Sequence, residues 1–222
     1  MDSPPDPVAA VAALEEPTRR RLYDYVARAH RPVGRDEAAT AVGVPRATAA
    51  FHLERLADQG LLSVEHKRLS GRTGPGAGRP AKLYGRSVGP VQVSLPPRSY
   101  DLAGQLLADA IEEADRSGLS VRDALSTCAS SAGRLIGESA DEPDPLPILE
   151  SHGFEPHQEA GRVVLRNCPF HDLARRHTAL VCGMNLDLLS GVLEGLDCSS
   201  YEASLRPGQD HCCVVLTPTP AR

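Results

Sequence analysis

Two apolar-periodic stretches hinged on one glycine constrain the first half of this chain more than any other feature. "GRDEAATAVGV" gathers Ala38, Ala39 and Val42 on one helical face and stops at Gly43. "PRATAAFHLERLADQGLL" then starts at Pro45, turns Leu53 and Leu56 to one side and stops at Gly60. Upstream, a helix beginning near Pro17 carries Leu22, Tyr25, Val26 and Ala29 at helical spacing. Helix, short helix, tight turn, helix is the order of a helix-turn-helix, whose last helix is shaped to enter a major groove.

The next segment, "LLSVEHKRLSGRTGPGAGRPAKLYGRS", reads as strand, Gly/Pro-rich tip and strand, the hairpin wing that follows such a helix. Between Glu65 and Asp101 there is no acidic residue, while Lys67, Arg68, Arg72, Arg79, Lys82, Arg86 and Arg98 are all present. Residues 1–90 hold 14 Lys and Arg against 10 Asp and Glu, a net of +4; the remainder holds 10 against 19, a net of −9. A basic module joined to an acidic one suits a partner that is a polyanion at one end only.

"TAAFHLERLADQGLL" resembles the reading helix and exit strand of ArsR-like winged-helix repressors, and "GRPAKLY" is similar to the wing end of that group's larger members. The resemblance implies double-stranded operator DNA as the partner. It places the contacts on the first turns of the reading helix, here Arg46, Thr48, Ala49 and His52. Arg46 is the best placed for a base edge, since a guanidinium grips guanine bidentately. Arg72, Arg79 and Lys82 of the wing are the expected phosphate contacts.

The fold class expected is α+β. It comprises a Pro- and Ala-rich disordered arm over 1–14, a winged helix-turn-helix over 15–90, helices for dimerisation over 98–137, and a small α+β domain on an antiparallel sheet over 145–222. In the pairing region, Val121, Leu125, Cys128, Ala132 and Leu135 form the predicted stripe of the second helix, with Cys128 as a core residue. A homodimer would match a palindromic site. The last domain reads as a short helix, a hairpin turning at Ala160 and Gly161, an amphipathic helix from Cys182 to Leu196, and a strand pair turning around Pro207 and Gly208.

Five cysteines fall inside that last domain: Cys168, Cys182, Cys198, Cys212 and Cys213. No secretion signal opens the sequence and no segment reaches the length of a membrane span, so a cytoplasmic protein with reduced thiols is expected. None of the five forms the CxxC knuckle usual in structural zinc sites. Separate segments can instead converge on an iron–sulfur cluster. Zinc, buried structural thiols and a catalytic Cys–His arrangement are the alternatives, and no nucleophile motif surrounds His171, His177 or His211. The chain is not expected to be an enzyme.

A winged helix followed by Cys168, Cys182, Cys198 and Cys212, with gaps of 13, 15 and 13 residues, resembles the SufR group of transcriptional repressors, from whose spacing it departs slightly. That resemblance implies a [4Fe-4S] cluster and control of the genes for iron–sulfur cluster assembly; zinc is the alternative metal. It also implies those four thiols as ligands, but helix geometry opposes Cys198. A helix over 183–196 carries the chain about 21 Å between Cys182 and Cys198. Cys168, Cys182 and Cys212 are therefore the expected ligands, with the fourth open among Cys213, Cys198, His171 and Asn185. Strand alternation would turn Cys213 away from Cys212.

Overall fold

The computed structural model describes residues 6–67, 80–208 and 211–219. The chain divides into two compact units, Met1–Val93 and Ser94–Arg222.

In the first unit, α1 (Pro7–Ala13) and α2 (Pro17–Arg28) each start on a proline behind an acidic cap. Asp6 accepts from the Val8 N–H at 2.9 Å, and Glu16 accepts from Thr18 at 3.0 Å and Arg19 at 2.6 Å. Proline at the first position lacks only an N–H that has no helical partner there. The expected disordered arm is thus corrected over residues 7–13. Ala10 and Ala13 are buried, because a helix of small residues can seat close against its neighbours.

Strand β1 (Val33–Gly34) leads into α3 (Arg35–Val42), and α4 (Arg46–Asp58) follows after Gly43, which ends α3 in the left-handed conformation at φ 72°. Leu22, Val26, Val33, Ala38, Ala49, Leu53 and Leu56 form the core among these elements. The wing strands β2 (Leu62–Lys67) and β3 (Ala81–Arg86) pair antiparallel, and β1 joins the other edge of β3, so the sheet order is β1-β3-β2.

The second unit contains α5 (Tyr100–Ser117), α6 (Val121–Glu138), α7 (Pro145–Ser151), β4 (Pro156–Glu159), β5 (Arg162–Leu165), α8 (His171–Arg176), α9 (Thr178–Gly195), β6 (Tyr201–Leu205) and β7 (Val214–Pro218). Its sheet is antiparallel in the order β4-β5-β7-β6, and Ala160 and Gly161, both at positive φ, make the predicted turn between β4 and β5. α5 packs on α6, and α6 packs along α9 within this same unit.

Backbone meets backbone at the α6–α9 contact. A Cβ placed on Gly133 would lie 2.9 Å from the Val192 nitrogen and closer still to the Leu188 carbonyl oxygen. One on Gly137 would lie 2.5 Å from the Val192 oxygen, and Gly191 and Gly195 press in the same way on Ser130 and Arg134. Paired residues advance together along both helices, so the two run in the same direction. Consequently the inward line of α6 is Ala124, Leu125, Ala129, Gly133 and Gly137. The expected stripe is corrected on both flanks: Val121 is exposed, Leu135 is 64% exposed, and Cys128 is half-buried.

Candidate functional site

Solvent meets one face of α4, formed by Ala47, Phe51, Arg55 and Asp58, opposite Ala49, Leu53 and Leu56. Arg46 lies exposed at the first helical position, where Asp36 of α3 pairs with its guanidinium. Thr48 is half-buried. Ala49 does not reach solvent, because its 3.6-residue periodicity with Leu53 and Leu56 turns it into the core, and it is withdrawn as a DNA contact. His52 also turns inward. Its side chain is 13% exposed and its Nε2 lies 3.6 Å from Glu16, so it braces α4 against the start of α2 rather than facing a phosphate.

Lys82 of β3 is paired with Glu54, which also accepts from the Tyr84 hydroxyl at 2.8 Å. The Lys82 bond, with help from Tyr84, holds the Glu54 carboxyl below the usual carboxylate range. This network ties α4 to the wing, and it occupies the charge assigned to phosphate contact. Arg72 and Arg79 lie outside the described residues. Arg46, Lys82, Arg31, Arg35 and His66 line a cleft of about 750 Å³ that also holds Asp36, Glu37 and Glu54. Carboxylates here compete with phosphate for the same cations. Asp36→Asn should therefore free Arg46 and raise affinity for duplex DNA roughly threefold at low salt, the worth of an exposed ion pair. A titration showing unchanged or weaker binding would remove Arg46 from the contact surface.

In the second unit the thiols come from three segments. Cys168 lies in the loop between β5 and α8, Cys182 in the second turn of α9, and Cys212 and Cys213 directly before β7. The Cys212 N–H donates to the Leu165 carbonyl at 2.7 Å, hanging this turn on the end of β5 beside the loop of Cys168. The Cys213 carbonyl accepts from the Arg206 N–H at 2.6 Å. Both cysteines precede the strand, so alternation along β7 does not fix their directions.

The thiols of Cys168 and Cys212 lie close enough to act on one another's charge, as do those of Cys182 and Cys213 and those of Cys212 and Cys213. The interaction with Cys212, reinforced by burial, pushes the Cys168 thiol far up. Cys212 is pushed up to about 12: the interaction with Cys168 favours its thiolate, but that with Cys213, together with burial, outweighs it. Burial raises Cys182. Thiols raised in this way, as at Cys168, Cys182 and Cys212, make poor nucleophiles. Such a set deprotonates when a metal centre supplies the compensating charge.

Two side chains organise this group. Asn185, one turn beyond Cys182 on α9, is 1% exposed and donates from Nδ2 to the Cys212 sulfur at 3.1 Å; its Oδ1 has no partner among the described residues. Asn167 is buried beside Cys168. It donates to the Gly153 carbonyl at 2.5 Å and the Pro97 carbonyl at 3.0 Å, and it accepts from Arg98 at 2.6 Å. Arg98, counted in the sequence among the wing's cations, belongs instead to the loop of Cys168. The pairing of a polar "RN" with the following cysteine was the available signal for Asn167.

The remaining candidates lie elsewhere. His171 is exposed at the start of α8. Cys198 follows the far end of α9, its N–H bonded to the Leu193 carbonyl at 2.9 Å, in a depression lined by Glu194, Asp197 and Tyr201. Among the described residues, no three His, Cys, Asp or Glu side chains close around one point as a single metal ion needs. A cluster is held by thiolates spread over its several iron atoms, and dry thiols with an amide donor on one sulfur suit it.

Residues 14–65 match a family model described as a helix-turn-helix domain. This chain is a DNA-binding transcription regulator. The match runs from the end of α1 to the fourth residue of β2, and the β2–β3 wing completes a winged helix-turn-helix. No curated protein and no solved structure matches the chain. Among the described residues, no helix is long and apolar enough to cross a membrane.

Proposed function

We propose that the chain is an iron–sulfur cluster-sensing repressor that binds palindromic operator DNA as a homodimer and has no enzymatic activity. What supports this reading is that Cys168, Cys182, Cys212 and Cys213 come from three segments of one unit near enough to act on one another's charge, with the Asn185 amide on Cys212. Those four thiols would hold a [4Fe-4S] cluster. Bound there, such a centre supplies sensitivity to oxygen, redox state and iron supply.

The protein's own part is to gather and shield. Asn185 orients the Cys212 sulfur, and burial keeps water from Cys182 and Cys212. Asn167 and Arg98 anchor the loop of Cys168 to residues 97–99, where Ser99 also donates its N–H to the Pro169 carbonyl at 3.1 Å. Residues 97–99 open directly into α5, so the order of the thiol loop is linked to the start of the helices proposed for pairing. Ile111, Leu119, Val121 and Leu135 are exposed on α5, α6 and their junction, and they offer apolar surface to a second copy. Repression, and iron–sulfur assembly genes as targets, rest on the resemblance to the SufR group.

Purification without air, with iron, sulfide and zinc assays, tests the reading. A brown protein carrying iron and acid-labile sulfide in equal amounts, bleached by air, is expected. Colourless protein with about one zinc per chain would overturn it.

A further inference from the structure

We infer that α4 reads thymine through its C5-methyl group, with the Phe51 ring as the contacting surface and the Ala47 and Ala50 methyls beside it. The inference rests on α4 being the helix that enters the major groove. Phe51 is 63% exposed, although a ring of that size gains most from burial. It sits one turn beyond Ala47 on the same face, opposite the core line of Ala49, Leu53 and Leu56.

The first turns of a reading helix meet the base edges. Here those turns carry few groups that can hydrogen-bond a base. Arg46 is paired with Asp36, and Thr48 is half-buried; the rest of the exposed surface of these turns is Ala47 and Phe51, with half-buried Ala50 beside them. In the major groove only thymine presents a methyl group, and an alanine methyl or a phenyl ring is a suitable surface for it. A guanine or cytosine at the same position would bury polar edge atoms against carbon without a partner.

The ring is also held in place. It packs edge-on to His52 at 5.2 Å between centroids and an interplanar angle of 67°, and His52 is lodged inward against Glu16. Phe51 is thus braced from behind while it projects outward, the preorganisation that a contact surface requires.

The test uses the full chain, purified without air, and duplexes enriched from a randomised pool by binding to it. Each enriched duplex is resynthesised with uracil in place of thymine, which removes only the methyl groups. Wild type should bind the uracil duplex roughly fourfold more weakly for each contacted methyl. Phe51→Ala should bind the thymine duplex more weakly, lose most of the thymine–uracil difference, and keep the wild-type salt dependence, because phosphate contacts are untouched. Equal wild-type affinity for the two duplexes would overturn the inference. So would a full thymine–uracil difference in Phe51→Ala, since the methyls would then act through duplex shape. Failure of wild type to retain any duplex would instead remove the DNA-reading assignment of α4, and the inference with it.

Discussion

Gly133→Ala is expected to destabilise the C-terminal unit by about 3 kcal/mol or more, although alanine is the better helix former by about 1 kcal/mol. The added methyl would sit inside contact distance of the Leu188 carbonyl and 2.9 Å from the Val192 nitrogen, both of them backbone atoms. A side chain in the way can rotate; a helix backbone has to move as a whole. Separating α6 from α9 also loosens the core on each side, where Ala129, Leu188 and Leu189 are buried. Gly104→Ala is the matched control, because Gly104 lies on the exposed side of α5 and a Cβ there meets nothing within 4 Å. It should gain about 0.5–1 kcal/mol from the smaller entropy of its unfolded chain. Urea titrations of the two variants decide the matter: if both shift the midpoint upward, the close helix contact is wrong.

The same contact explains what the sequence concealed. Periodicity finds faces that are rich in large apolar side chains, so Leu22, Val26, Leu53 and Leu56 pointed to the first core, and the structure buries all four. Along α6 the face that packs is built from Ala129, Gly133 and Gly137, which carry almost no hydrophobic weight. The larger Val121 and Leu135 therefore drew attention to the wrong side. Two glycines four apart on each helix, 133 and 137 against 191 and 195, were the legible clue, since small residues at that spacing let backbones approach. Gly43 and the Ala160–Gly161 pair were read correctly, because positive φ restricts which residues can stand there. On α4 the exposed Phe51 was missed: an apolar residue in a helix invites a core assignment, and only the register against Ala49 and Leu53 turns it outward. At the thiol group, Cys168, Cys182 and Cys212 were expected together from the SufR-like pattern, helix rise and strand parity. Cys213 was obscured by treating the cysteine pair as part of a strand that begins only at Val214.

If the proposed cluster is bound, Cys213→Ser should lose most of the iron, whereas Cys198→Ser should keep it. The family-like spacing of the cysteines points the other way, so the pair of variants separates spacing from geometry. α9 runs unbroken from Thr178 to Gly195, and the rise from Cys182 to its last residue is about 20 Å. A bend at Gly191 or Gly195 would bring Cys198 nearer, but both glycines are clamped on the α6 backbone, and no proline interrupts the helix. Beyond Gly195, the Cys198 N–H is bonded to Leu193, which holds the chain close to the end of that helix. Cys213, by contrast, lies close enough to Cys182 and Cys212 to act on their charge, and Cys212 does the same with Cys168. Replacing the Cys213 sulfur with a hydroxyl removes a soft ligand from the group and leaves its neighbours undisturbed in the backbone. Iron content should therefore fall in Cys168→Ser, Cys182→Ser, Cys212→Ser and Cys213→Ser, with far-ultraviolet ellipticity retained in each. Cys198→Ser should match wild type in iron and in DNA binding, with a loss of stability of about 1 kcal/mol at most from a half-buried hydroxyl. A folded but iron-free Cys198→Ser protein beside a fully loaded Cys213→Ser protein would show that the end of α9 folds back, and that spacing outranks the helix.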